Sequence, residues 1–185
     1  MLKVNFTPFP EIKTERLLLR RLTLNDAPEI FFLRSDKTVL QFLGKEPAKT
    51  ISDAEEFINK INSDIDAGEV IMWGIVLKGQ PANVIGTINY WRLIKEHYRA
   101  EFGYALHPGF WRKGIMKEAI LEVLRYGFNE MKLHSVEARI AIGNIASASI
   151  LEATGFVKEA YFKEDFFFRG KFEDTIVYSR LTGPR

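Results

Sequence analysis

The stretch Trp111-Arg112-Lys113-Gly114-Ile115-Met116, at the start of the helical run GIMKEAILEVLRYGF, holds residue types that bind an anion. A glycine just ahead of a helix lets the backbone approach a ligand closely. The first-turn N–H groups point outward with the positive end of the helix dipole, which suits a pyrophosphate. Arg112 and Lys113 add full positive charges. The same hexapeptide also reads as a plain turn at Gly114 with two solvated cations, and taken alone it leaves both readings open. Other phosphate motifs are absent: there is no G-x-x-x-x-G-K-[ST] and no G-x-G-x-x-G, which argues against a P-loop nucleotidase or a dinucleotide dehydrogenase. The three histidines, His97, His107 and His134, form no ligand-spaced pair, so no catalytic metal is expected. Cysteine is missing altogether, which excludes disulfides, thiolate zinc sites and any covalent intermediate on an enzyme thiol.

A loop of this kind needs a strand to deliver it and a helix to follow. In Arg99–Leu106, Ala100, Phe102, Tyr104 and Leu106 lie on one face and Glu101, Gly103 and Ala105 on the other. His107-Pro108-Gly109-Phe110 is a tight link. Ile115, Ala119, Ile120, Val123 and Leu124 then form one helical stripe. Upstream, residues 16–22 (RLLLRRL) read as a first strand. A helix with Asn25 or Asp26 as N-cap then buries Ile30, Phe31 and Leu33. Ser52 with Glu55 makes an S-x-x-E capping box for a second helix that carries Phe57, Ile58, Ile61 and Ile65 up to Gly68. Residues 70–77 and 84–91 read as a hairpin across KGQPAN. Downstream come a strand at 133–141, a short helix at 144–154 ended by Gly155, and two aromatic-rich strands at 156–162 and 172–181. The expected class is α+β (mixed α/β), a central, mostly antiparallel twisted sheet of about seven strands with about four helices, in the order β-α-α-β-β-β-α-β-α-β-β. Only the strands flanking the long helix, joined by a crossover, should run parallel.

The 185 residues are 46% hydrophobic and 27% charged, ordinary globular proportions that support a core without crosslinks. We read one domain over residues 1–185, with its elements between about Ile12 and Leu181. Residues 1–92 carry 12 charges of each sign and residues 93–185 carry 14 basic against 12 acidic, with no basic arm or stripe. Direct nucleic-acid binding is therefore not expected. The longest strongly apolar stretch, residues 70–77, is too short to span a bilayer, and the N-terminal segment lacks the layout of a signal peptide. No membrane partner and a cytoplasmic location are expected.

The element order and four local motifs together resemble the GNAT N-acetyltransferase superfamily, and within it the RimJ/RimL-type branch. The motifs are TERLLLR at 14–20, AEFGYALHPGFWRKGIMKEA at 100–119, NIASASILEATGF at 144–156 and G-x-x-x-D-x-x-x-Y-x-x-L at 170–181, so the resemblance spans nearly the whole chain. It implies a GNAT-like fold, acetyl-CoA as co-substrate and no metal. The pyrophosphate would sit on the loop formed by Arg112, Lys113, Gly114, Ile115, Met116 and Lys117. The amide of Leu106 and the side chain of Asn144 would serve the acetyl and pantetheine region. Two positions depart from the family loop: Trp111 replaces a Gln or Arg, as is familiar in this branch, and Met116 replaces the final Gly or Ala. Met116 leaves the backbone accessible if its side chain turns to the core.

Transfer from a thioester to an amine needs a neutral amine, a stabilised oxyanion and a protonated or solvated leaving thiolate. By resemblance Glu101 is the base, and its small face-mates Gly103 and Ala105 leave room above the strand; its other reading is a surface carboxylate paired with Lys or Arg. Asn144 and Ser147 read plainly as an N-cap and a first-turn polar residue. The resemblance adds a role for Ser147 in protonating the departing sulfur. Many family members carry a Tyr four residues before the Gly-Phe pair, where this chain has Leu151, so the donor is Ser147 or solvent. Tyr90, Trp91, Tyr161, Phe162 and residues 166–168 either rim an acceptor groove or pack as core, and residues 36–50 are expected over the acceptor mouth. The expected acceptor is a primary amine, foremost a protein N-terminal α-amine of ribosomal-protein type. A small amine (polyamine, amino acid or aminoglycoside) is the alternative, and a non-catalytic CoA-binding module is more distant. A monomer and a homodimer both fit. Without a cysteine, the acceptor amine must attack the bound thioester itself.

Overall fold

The computed structural model describes residues 2–79 and 83–183. Its eight strands are β1 (Ile12–Lys13), β2 (Leu17–Arg20), β3 (Ile71–Leu77), β4 (Val84–Ile94), β5 (Arg99–Leu106), β6 (Ser135–Ala141), β7 (Val157–Phe168) and β8 (Lys171–Leu181). They form one sheet in the order β1-β2-β3-β4-β5-β6-β8-β7. The helices are α1 (Ala27–Ser35), α2 (Lys37–Leu40), α3 (Ile51–Asp66), α4 (Ile115–Asn129) and α5 (Ile145–Ala153). All neighbouring pairs are antiparallel except β5 and β6, because the crossover through α4 returns the chain in the same direction. The mixed fold thus follows the expected pattern, with one strand and one helix more. Two-residue β1 and single-turn α2 are too short to leave a periodic signal. The turn residues 80–82 of the expected hairpin lie outside the described residues, while its strands pair from Ile71↔Tyr90 to Val76↔Val84.

Two caps differ from expectation. Asp26 stands at the N-cap position of α1 without capping it. Its carboxylate instead accepts two hydrogen bonds from Arg20, at 2.7 and 2.8 Å, and others from Thr23, and this nearly buried ion pair ties β2 to the helix start. At α3 the cap is Thr50, not Ser52. Asp53 is its partner, because its short carboxylate reaches the amides of both Lys49 (2.6 Å) and Thr50 (3.1 Å) while Thr50 Oγ1 accepts from the Asp53 amide.

The alternation of the strands sorts side chains onto two faces. Trp73, Ile88, Tyr90 and Phe102 face α4 and are buried there. The Tyr90 hydroxyl donates to the carbonyl of Val123 at 2.9 Å, and Gly127 leaves room for the Tyr90 ring. Tyr90 is thus core and does not rim an acceptor groove. The opposite face presents Met72, Thr87, Asn89, Glu101, Gly103 and Ala105 toward α1 and α3, where the packing leaves a cavity.

Candidate active site

β5 and β6 pair only at Arg99↔Ser135, Ala100↔Val136 and Glu101↔Glu137. Beyond Glu101 they part, although β5 stays paired with β4 as far as Leu106. One edge of the last five residues of β5 therefore faces a gap, with backbone N–H and C=O groups open to a ligand. A cavity of about 650 Å³, of the size that takes a small ligand, opens on the α1–α3 face and reaches through this gap to Tyr104 and Ile140.

Glu101 lies on the cavity wall where the strands separate, with its side chain 11% exposed. Burial holds its carboxyl above the usual carboxylate range, against the opposing pull of Arg92, Arg139 and Lys45. Arg92 donates from Nη1 to Glu101 Oε2 at 3.0 Å. A bulge lets it do so: the β4–β5 register slips between Trp91 and Ile94, and Arg92 has φ +46°, so a residue that regular alternation would aim away turns back toward Glu101. Small residues keep the wall open, since a Cβ on Gly103 would come within 3.0 Å of Asn89 Oδ1.

On the far side of the gap, the Tyr104 hydroxyl and Ser147 Oγ are 2.6 Å apart. Burial pushes the Tyr104 phenol up to about 12, so it stays protonated throughout the neutral range. Ser147 is itself buried, and its amide donates to Asn144 Oδ1 at 3.1 Å, which makes Asn144 the N-cap of α5. Leu151 is fully buried in the core. Alternation placed Tyr104 on the apolar face, and nothing in the sequence brought it together with Ser147, 43 residues away.

The anion loop joins this cleft at the end of β5. The Trp111 indole N–H donates to the Leu106 carbonyl at 2.7 Å, which pins the loop to the strand and gives the unusual Trp a physical job. Gly114, at φ +74°, is the N-cap of α4, and Arg112 is also left-handed at φ +59°. The first helical amide bond runs from Glu118 to the Gly114 carbonyl, so the amides of Ile115, Met116 and Lys117 stand ahead of the ladder. Ile115 and Met116 bury their side chains, while Arg112, Lys113 and Lys117 are exposed. Lys113 bends back to donate to the Gly109 carbonyl at 2.8 Å. Glu118 anchors the assembly by accepting from Thr14 Oγ1, the Arg16 amide and Arg16 Nε, and Arg16 Nη1 donates to the Lys113 carbonyl at 3.0 Å. The Thr14–Arg16 part of TERLLLR thus braces the start of α4. An open strand edge, free first-turn amides and flanking cations make a cradle that fits a pantetheine arm ending in a pyrophosphate.

The acceptor side is roofed by the segment between α2 and α3. Phe166 of β7 packs on Gly44, which has no room for a side chain, and Arg169 binds Glu46 through two hydrogen bonds of 2.9 and 3.1 Å. Trp91 and Phe166 line the cavity, and Arg34 and Lys45 complete its wall. No local pattern in the sequence marks Arg34, Lys45, Arg92 or Tyr104 as site residues. Among the described residues no cluster could hold a metal ion, and no helix is long and apolar enough to cross a membrane.

Comparison with known proteins agrees with this geometry. The acetyltransferase (GNAT) domain family matches residues 16–157. The uncharacterized N-acetyltransferase YoaA of Bacillus subtilis is 35% identical over 177 residues, 96% of this chain and 99% of its own. The [ribosomal protein uS5]-alanine N-acetyltransferase of Escherichia coli is 28% identical over 55% of this chain and 52% of its own. Among solved structures, a GNAT-family acetyltransferase from Bacillus anthracis superimposes with TM-score 0.82 at 30% identity, covering 93% of this chain and 98% of that one. The spermidine N-acetyltransferase of Vibrio cholerae, solved with CoA and spermine, has TM-score 0.80 at 26% identity, covering 91% and 96%. The chain belongs to the GNAT acetyltransferase family and is an acetyl-CoA-dependent N-acetyltransferase.

Proposed function

We propose that the protein acetylates an α-amine by direct attack in a ternary complex, foremost a protein N-terminus as in the RimJ/RimL-type branch. The observation that carries this reading is the place of Glu101: a largely buried carboxylate at the point where β5 and β6 part, between the acceptor cavity and the open strand edge. Glu101 takes the proton from the incoming amine. An α-amine, with a reference pKa near 8, is already partly neutral, so a modest base suffices; a lysine amine near 10.4 asks far more of it.

The amides at the end of β5, with Leu106, hold the acetyl carbonyl. The loop from Arg112 to Lys117 holds the pyrophosphate, and Asn144 borders the pantetheine while capping α5. Ser147, backed by Tyr104, meets the leaving sulfur. A thiolate near 8.5 is a much weaker base than a phenolate near 12, so full proton transfer from this pair is uphill by roughly 3 to 4 units. The pair therefore stabilises the thiolate by hydrogen bonding, and solvent completes protonation. No cysteine exists to carry the acetyl group, which leaves the amine as the nucleophile.

A small-molecule amine is the second reading. It is favoured by the strapped roof, which confines the cavity, and by the spermidine-acetylating relative. Thiol release from acetyl-CoA against N-terminal peptides, amino acids, polyamines and aminoglycosides decides between them. We expect release with peptides bearing a free α-amine. Release with polyamines alone replaces the first reading by the second, and CoA binding without release from any acceptor contradicts both.

A further inference from the structure

The charges that line the cavity are unevenly matched. Arg92 pairs with Glu101, Arg139 with Asp165, and Glu46 with Arg169. Asp174 accepts from the Tyr161 hydroxyl and the Glu164 amide. Glu173, on β8, belongs to the hairpin side. Arg34 and Lys45 lie at the α1 and roof side, and among the described residues neither makes an ion pair or a side-chain hydrogen bond.

Arg34 is held in place without being satisfied. Its guanidinium stacks over the Phe57 ring at 3.9 Å, and its backbone carbonyl accepts from the Ala48 amide, so both its plane and its helix end are fixed. Yet Nε is buried with no acceptor, the one such side-chain atom among the described residues. Buried donors are nearly always paired, so the protein leaves this guanidinium unsatisfied, and its two terminal nitrogens, which are not buried, are the ones a ligand in the cavity can reach. Lys45 is an exposed residue of the roof segment that lines the same cavity. Burial, and after it the charge of Arg34, lower its pKa, while Glu101 acts in the opposite sense. Two cations that line one cavity are accommodated at least cost when an anion sits between them.

We propose that Arg34 and Lys45 bind an anionic group of the acceptor, a carboxylate or phosphoryl, so that the substrate is an amine carrying negative charge near its reacting nitrogen. This rests on the reading of Glu101 as the base of the same cavity. Arg34, Lys45 and Glu101 line the same cavity, so the anion would share it with the reacting centre. A polyamine gains nothing from these two cations and would have to rely on the carboxylates of Glu173 and Asp174. The anion can come from a free amino acid or aminophosphonate, or from an acidic second residue of a peptide.

Matched pairs test this: an α-amino acid against its amide, a peptide with Asp or Glu second against Asn or Gln second, and spermidine, all by thiol release. We expect the charged member of at least one pair to have kcat/KM about tenfold or more above its neutral partner, and above spermidine. The pair that shows it identifies the source of the anion. Arg34→Gln should raise KM for the charged member and bring the ratio close to one. Lys45→Gln should reduce the ratio partly, and Arg34→Lys should retain part of it. CoA affinity by calorimetry verifies that each variant is folded. Equal or better turnover of the neutral members or spermidine, or a ratio that survives both Arg34→Gln and Lys45→Gln, overturns the proposal while leaving the acetyltransferase reading intact. CoA binding with no turnover of any acceptor overturns the Glu101 reading and this proposal with it.

Discussion

The two ends of the cleft are made of different material. The co-substrate end runs from Leu106 through Lys117, nearly contiguous in sequence, and offers backbone amides, a helix dipole and a left-handed glycine. The acceptor end gathers side chains from distant elements: Arg34 from α1, Lys45 and Glu46 from the roof, Glu101 from β5, and Phe166 and Arg169 from the β7–β8 hairpin. A backbone site tolerates new side chains if the dihedral angles hold, and so Met116 can turn into the core and Trp111 can become a brace. A side-chain site changes its ligand with every substitution. That contrast fits a family in which one relative acetylates an alanine of a ribosomal protein and another has been solved with spermine.

The sharpest way to separate the ends is to alter the junction. Glu101→Gln should lower kcat by about 10²- to 10⁴-fold, the usual weight of general base catalysis, with CoA affinity unchanged. At the co-substrate end, Gly114→Val should weaken CoA binding about tenfold and leave the acceptor KM alone. The cause is strain. A Cβ there meets only Arg16 Nη2, at an ordinary 3.4 Å, but a β-branched residue at φ +74° costs roughly 1–2 kcal/mol. Equal CoA affinity by calorimetry would place the loop elsewhere. At the acceptor end, Arg169→Ala cuts the roof strap. Because the pair is exposed, we expect a few-fold rise in acceptor KM at most, with no change in CoA affinity. The smallest effect is Arg92→Gln. Removing a cation that favours the ionised carboxylate should move the acid limb of the rate profile to higher pH.

The same contrast explains what could be read from the sequence. The co-substrate end was legible because its signals are local: strand alternation through Leu106, a glycine before an apolar helical stripe, and Asn144 at a helix start. The parallel pairing of β5 and β6 followed from the crossover. At α3 the cap falls on Thr50 because Ser, Thr and Asp compete at similar spacings, and at α1 Asp26 holds the expected N-cap position while its carboxylate is taken by Arg20 and Thr23. At the acceptor end Glu101 is marked by family resemblance and by the small residues beside it. Arg92 depends on a bulge, the Tyr104–Ser147 contact on the docking of α5, and Arg34 on burial that no local pattern records.

The pH dependence of kcat/KM for a turned-over acceptor, in the wild type and in Glu101→Gln, tests the central claim most directly. Burial holds Glu101 above the usual carboxylate range, so the ionised base should be lost as pH falls through that raised value. We expect a wild-type acid limb above the ordinary carboxylate pKa and its disappearance in Glu101→Gln, leaving only the dependence set by the amine. An identical limb in both proteins would contradict Glu101 as the base.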